Sequence, residues 1–298
     1  MNRRRRRAPF GSLLPVLVLL VLVAVVLPRC ARLAGPPRAP ATSGGSGGFA
    51  PSEPVGSVAE SPHVALGVPT DADSSDDVLL DERQFVVSYS PRRRDPNWVA
   101  WRLDSSYLGH VPRRDDFRPD ESLPVTAYRV TSHDYARSGY DRGHLCPSAD
   151  RDRDRDMNAV TFLMTNVVPQ LHELNAGPWE KLEEYERRRA SEPGAELSIV
   201  AGGVFRDPAP TIGHGTAVPS ATYKIIVVAA QGQTARDLDD ATEVIAVIMP
   251  NREGVGGSNW TDFVVSVDRI EEATGYDFLS RVPAPVQRLL EAKTARVP

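Results

Sequence analysis

Short runs of apolar and β-branched residues, each closed by glycine, proline or a polar residue, set the framework of the chain. Phe85-Val86-Val87-Ser88-Tyr89 and Trp98-Val99-Ala100-Trp101-Arg102-Leu103 read as two strands joined by a proline- and arginine-bearing turn, a hairpin. Leu197-Ser198-Ile199-Val200-Ala201, Tyr223-Lys224-Ile225-Ile226-Val227-Val228 and Val244-Ile245-Ala246-Val247-Ile248-Met249 are dense enough in such residues to predict core strands. Thr161-Phe162-Leu163-Met164 leads into Asn166-Val167-Val168-Pro169-Gln170, a buried segment ending in a turn. A helix is predicted next, because Trp179, Leu182 and Tyr185 recur on one face after Gly177, a cap, and Pro178, suited to the first helical position. Asn175 then lies just ahead of that helix and Glu183 in its second turn. Phe263-Val264-Val265, a short helix over 268–274 and a terminal helix marked by Val286, Leu289 and Leu290 complete the pattern.

The first thirty residues follow a different pattern. Met1 to Arg7 is basic, no charge occurs from Ala8 to Pro28, and Val16 to Leu27 is densely apolar, which predicts a signal peptide or signal anchor over 1–30. No small-residue cleavage site follows, favouring an uncleaved anchor in the membrane. The arginines ahead of the apolar run stay in the cytoplasm, so the rest is expected to be exported: membrane-anchored, periplasmic or secreted. Residues 31–80 are rich in Gly, Pro, Ser and Asp and read as a disordered linker, leaving 81–298 as the folded domain.

The formal charge is -4, but eight arginines lie in the first fifty residues with no acid, so the remainder carries -12. A globular part this acidic excludes broad electrostatic attachment to nucleic acid and confines any polyanion site to a local basic patch. Such patches are Arg92-Arg93-Arg94 at the hairpin tip and Arg113, Arg114 and Arg118 around Phe117. Arg151-Asp152-Arg153-Asp154-Arg155-Asp156 alternates in sign and reads as self-neutralising and solvated. Cys30 and Cys146 lack metal-ligand spacing, and Cys146, between Leu145 and Pro147, reads as a small buried apolar group.

Chemistry concentrates in Tyr140-Asp141-Arg142-Gly143-His144-Leu145-Cys146-Pro147, where a carboxylate, a guanidinium and an imidazole stand side by side. An imidazole is a general base near neutrality, and arginine presents a fork of donors to phosphate oxygens. One imidazole, one amide and one carboxylate are too few for a closed zinc site. Magnesium, by contrast, keeps most of its waters and takes one or two protein oxygens. Asn175 can supply one, with Glu183 reaching the ion through water and His144 free as base. The plainer readings stand beside this: Asn175 as a turn or cap residue, Glu183 as a solvated helix charge, His144 as a core histidine.

With these residues assembled, the chain resembles the DNA/RNA non-specific endonuclease family, the ββα-metal nucleases. The resemblance is carried by Asp141-Arg142-Gly143-His144, Thr165-Asn166-Val167-Val168-Pro169-Gln170, Leu174-Asn175-Ala176-Gly177-Pro178-Trp179 and Leu182-Glu183, and extends from about Phe85 to Phe278. It implies an α+β, ββα-metal (His-Me finger) fold with a central, mostly antiparallel sheet flanked by helices. It implies His144 as general base, Asn175 as sole direct protein ligand of Mg²⁺ or Mn²⁺, and Glu183 one shell further out. Asp141 and Asn166 would orient the site, Arg142 would serve substrate or structure, and Arg113 fits the phosphate-binding arginine better than Arg114 or Arg118. Phe162 stands where some members carry a polar residue. The implied partners are DNA and RNA, with a homodimer among the states allowed; a catalytically inactive nuclease-like module and a metal-dependent phosphodiesterase for smaller substrates are the alternatives.

Overall fold

The computed structural model describes residues 58–297, so the predicted signal segment and the first part of the linker lie outside the described residues. Seven antiparallel strands form the central sheet, hydrogen-bonded in the order β1 (Val78–Asp81), β2 (Val86–Ser90), β3 (Asp95–Leu103), β6 (Ala195–Val204), β9 (Ala221–Ala230), β10 (Glu243–Pro250) and β11 (Val264–Val265). Between β3 and β6 the chain leaves the sheet to build a separate ribbon, β4 (Asp141–His144) with β5 (Val167–Gln170), linked through α1 (Arg155–Val160). A small hairpin, β7 (Thr211–Ile212) with β8 (Thr216–Ala217), precedes β9. The remaining helices are α2 (His172–Leu174), a single turn; α3 (Glu180–Ala190); α4 (Val267–Thr274); and α5 (Ala284–Ala292).

Successive side chains on a strand point to opposite faces, and here both faces are covered, so the central strands read as near-continuous apolar runs. Phe85, Val87, Val99 and Trp101 face one core with Leu145, Val168, Trp179 and Leu182 of the ribbon and α3. Val86, Trp98, Ala100, Ile225 and Val227 face the other with Val267, Ile270 and Leu290 of α4 and α5. The result is three layers: the ribbon and α3, the sheet, then α4 and α5.

Two expectations change. Residues 58–80, read from composition as linker, belong to the fold: β1 pairs with β2, and Thr70 bridges Asp277. The buried His63 donates through Nε2 to the Arg83 carbonyl at 3.0 Å and accepts the Arg102 N–H at 3.1 Å through Nδ1. The Arg151–Asp156 stretch is solvated over Arg153–Asp156, as expected, but it begins in the interior. Arg151 is fully buried, donating to the carbonyls of Gln84, Arg102 and Asp150, with its guanidinium 4.3 Å from the Tyr107 ring centroid. Asp154 caps α1 by accepting from the N–H groups of Asp156 and Met157. Charge alternation cannot show that these side chains meet buried backbone groups.

One polar side chain ties the ribbon to the sheet. Asn251, directly after β10, donates from Nδ2 to the carbonyls of Pro169 and Pro219, each at 2.9 Å, and accepts the Leu171 N–H at 2.8 Å.

Candidate active site

β4 and β5 run antiparallel with Gly143 opposite Val168 and His144 opposite Val167. A Cβ at Gly143 would overlap the buried Gln170 side chain, so a larger residue there would have to displace it. The chain leaves β5 into a helical segment that is not the single helix expected. His172–Leu174 and Asn175–Trp179 coil first, with Asn175 itself helical (φ -60, ψ -50); Gly177 (φ -115, ψ -117) then breaks the coil before α3. Gly177 abuts Gly256, whose Cα would lie 3.1 Å from an added Cβ. Strand, strand and broken helix thus place His144, Asn175 and Glu183 around one cavity of about 200 Å³, together with Arg113, Arg142 and Arg187. An adjoining cleft of about 460 Å³ shares Arg113, Arg142 and Asn175 and adds Asp141 and His172.

His144 is held on all sides. Its carbonyl accepts the Trp179 indole N–H at 3.3 Å. Its ring lies 5.1 Å from both Phe117, tilted at 40°, and Phe162, edge-on at 88°. Phe117 is brought there by Arg118, whose backbone bridges Phe162 and Met164 and whose guanidinium donates to the Ala159 carbonyl at 2.6 Å. His144 is 6% exposed and borders the cavity, while its Nε2 is itself buried and has no hydrogen-bond partner. Burial, then Arg113 and Arg142, depress its pKa to about 3, with Asp115 opposing, so the ring is neutral at physiological pH. A neutral imidazole bordering this cavity can accept a proton there.

Asn175 donates from Nδ2 to Asp141 Oδ2 at 3.0 Å, which leaves its amide oxygen free for another partner. The same Asp141 oxygen accepts from His172 Nδ1 at 2.8 Å. Burial pushes Glu183 up to about 7 against the pull of Lys224 and Arg187. An oxygen donor fixed in orientation, a nearby carboxyl and room for water suit a hard cation that keeps its hydration shell. Among the described residues, the group of three acids close enough to share an ion is Asp268, Glu271 and Glu291 on α4 and α5, away from these cavities. The site residues therefore fit an ion that takes few protein ligands.

The other expected residues divide. Arg113 borders both cavities, paired with Asp115 at 3.0 Å, whereas Arg118 is tied into the loop and Arg114 borders neither. Arg142 stacks its guanidinium 4.5 Å above Phe117 at the cavity edge. Asn166 is fully buried behind the site, accepting from Cys146 N–H at 2.9 Å and donating to the carbonyls of Cys146 and Thr161. It fixes the turn leaving His144 and touches no cavity. Cys146 is free and buried, as its neighbours implied. Sequence reading missed Arg187, held at 3.3 Å by the buried Asp150, which in turn accepts from Trp101 Nε1 at 2.9 Å. It also missed the fully buried Lys224–Glu186 pair beneath Glu183. The lysine inside an otherwise apolar strand was the visible signal.

A buried neutral imidazole and an amide lining one cavity with three arginines, on a two-strand-and-helix element beside an antiparallel sheet, define the class of ββα-metal nucleases. The chain belongs to the DNA/RNA non-specific endonuclease family, whose model matches residues 62–285. A nuclease of Nostoc sp. is 44% identical over 236 residues, covering 78% of this chain and 85% of that protein. Mitochondrial endonuclease G of Homo sapiens is 30% identical over 220 residues, covering 69% of this chain and 71% of that one. In the crystal structure of the EndoG/EndoGI complex, a chain 25% identical superposes with a TM-score of 0.63, covering 75% of this chain and 92% of that one. The protein is a nucleic-acid-hydrolysing enzyme of a metal-dependent family.

Proposed function

We propose that this enzyme is an exported endonuclease that hydrolyses DNA and RNA without sequence preference, with Mg²⁺ or Mn²⁺ held by Asn175. The reading is carried by a neutral His144 imidazole and the Asn175 amide lining one cavity with Arg113 and Arg142. Asn175, kept in orientation by Asp141, would be the direct ligand, and Glu183 would hold water around the ion. When bound there, the cation neutralises charge on the phosphate and its leaving oxygen.

The His144 imidazole takes the proton of the attacking water. A base with a pKa of about 3 is weak, but the guanidiniums of Arg113 and Arg142 are part of what holds it down. A phosphodiester anion held by those arginines offsets their charge and raises the basicity of the imidazole when substrate binds. Arg113 and Arg142 grip non-bridging oxygens, and Asn166 keeps the His144 turn fixed. Contacts of this kind go to phosphate and carry no base information, which supports cleavage of both nucleic acids.

The test is incubation of the purified protein with circular plasmid and with RNA, in Mg²⁺ or in EDTA. Cleavage of both is expected with metal only, and His144→Ala and Asn175→Ala each lower it on the order of 10²–10⁴-fold with unchanged circular dichroism. Full activity in either variant overturns the assigned roles, and no metal-dependent nicking overturns the reading. Export rests on the N-terminal charge and apolar pattern; fractionation of cells expressing the full chain tests it, and a cytoplasmic protein overturns it.

A further inference from the structure

A second basic surface lies outside the catalytic cavities. The turn between β2 and β3 and the segment around the β7–β8 hairpin enclose a groove of about 260 Å³ lined by Arg92, Arg93, Phe205 and Arg206, with Asp207 the carboxylate on its wall. Arg93 is committed to the fold: it pairs with Asp76 at 2.9 Å and lies 5.3 Å from the Phe205 ring centroid. Arg92 and Arg206 are exposed, and no ion pair is formed by either, or by Arg94, among the described residues. Arg94 holds a left-handed backbone (φ 58) and lays its guanidinium 4.4 Å above the Tyr128 ring.

This surface adjoins the catalytic cleft through direct contacts. Tyr128 Oη donates to Asp134 at 3.0 Å, and Asp134 belongs to the turn Ser132–Tyr135, whose Ser132 and Tyr135 border the 460 Å³ cleft. In a domain whose charge outside the first fifty residues is -12, unpaired guanidiniums beside half-buried aromatic rings, next to the cleft, are a local departure that calls for an anion. Alternation of guanidinium and ring is what an unpaired strand of nucleic acid takes: phosphates to the arginines, bases to the ring faces. Such contacts are blind to sugar and to sequence.

We propose that Arg92, Arg94 and Arg206, with the Phe205 and Tyr128 rings, form a second subsite that holds a single-stranded stretch of the substrate beyond the scissile phosphate. The inference rests on the nuclease reading for the identity of the ligand, but its test does not depend on turnover. Binding of a fluorescent single strand of about 30 nucleotides, longer than the roughly 4–16 nucleotides that a single-strand groove covers, is measured by anisotropy in EDTA. Arg92→Glu/Arg206→Glu is compared with Arg236→Glu/Arg288→Glu, which reverses two exposed arginines elsewhere. In Mg²⁺, hydrolysis of the strand and of bis(p-nitrophenyl) phosphate is followed for the same proteins.

The groove variant is expected to weaken strand binding about tenfold or more and to lower the slope of log affinity against log salt by at least about 1.4, near 0.7 for each lost phosphate contact. Its KM for the strand rises in step, while turnover of the small diester stays at the wild-type level. Equal weakening by the control variant, or no weakening by the groove variant, overturns the subsite. Absence of hydrolysis in every protein, with the groove effect on binding intact, overturns the nuclease reading and leaves the subsite standing.

Discussion

Lys224→Met deletes an ammonium that lies 3.0 and 3.1 Å from the two Glu186 carboxylate oxygens, with both side chains fully buried. The ammonium also sits 5.2 Å from the Trp101 ring centroid and 4.6 Å from that of Trp179. Methionine keeps much of the volume but leaves the carboxylate alone in a low-dielectric space, a change that costs roughly 3–5 kcal/mol. Burial already raises the Glu186 pKa, so the stranded carboxyl can take a proton and the loss falls near the lower end, about 3 kcal/mol. For a domain of this size that is a fall in Tm of roughly 6–12 °C. Urea unfolding followed by tryptophan fluorescence reads it directly. Lys224→Met/Glu186→Leu removes both charges and is expected to return to within about 1 kcal/mol of wild type, since a buried pair often equals a well-packed apolar one. A single variant that costs under about 1 kcal/mol, or a double variant as unstable as the single, refutes the argument. Because Trp179 also holds the His144 carbonyl, the single variant is expected to lose kcat at temperatures where it remains folded.

Asp141→Ala removes the acceptor shared by Asn175 and His172; Mg²⁺ or Mn²⁺ affinity, measured by calorimetry, is expected to fall about 10–100-fold, and an unchanged affinity contradicts the orienting role. His144 gives a pH signature in the EDTA-treated protein. Its folded pKa of about 3 lies below the ordinary 6.5, so its neutral form is favoured in the fold. Its contribution is complete above pH 6.5 and is lost as pH falls towards 3, about 2 kcal/mol of it between 6.5 and 5. His144→Gln flattens that part of the urea-midpoint profile, and an unaltered profile rules the buried imidazole out as its source.

The sheet was legible because both its faces are covered: Val86 and Val87, or Trp98 to Trp101, stay apolar on every position, and their runs match β2 and β3. The catalytic candidates were legible through motifs, since Asp141-Arg142-Gly143-His144, Leu174-Asn175-Ala176-Gly177-Pro178-Trp179 and Leu182-Glu183 carry the family resemblance although His144 and Glu183 stand 39 positions apart. What escaped was pairing that no motif carries. Glu186 meets Lys224 across 38 positions and Trp101 meets Asp150 across 49, and no local pattern announces either. Phe162 stands where some members carry a polar residue, and its ring forms one wall of the imidazole's slot, a role no local pattern announces. The segment from Val58 to Leu80 misled because turn-forming residues look alike in a tether and in a folded strap. Only contacts such as His63 with Arg83 and Arg102 distinguish them.

Asn251 acts as the common datum of the molecule. Its amide fixes the end of β5, the approach to β9 and the entry to the Asn175 coil at one point, so the ribbon and the sheet are registered to each other by a group that does no chemistry. Surface loops elsewhere can lengthen or shorten without moving the nitrogen of His144 relative to the oxygen of Asn175. A change at Asn251 would instead leave the Pro169 and Pro219 carbonyls and the Leu171 N–H unpaired, costing stability and putting the two parts out of alignment together.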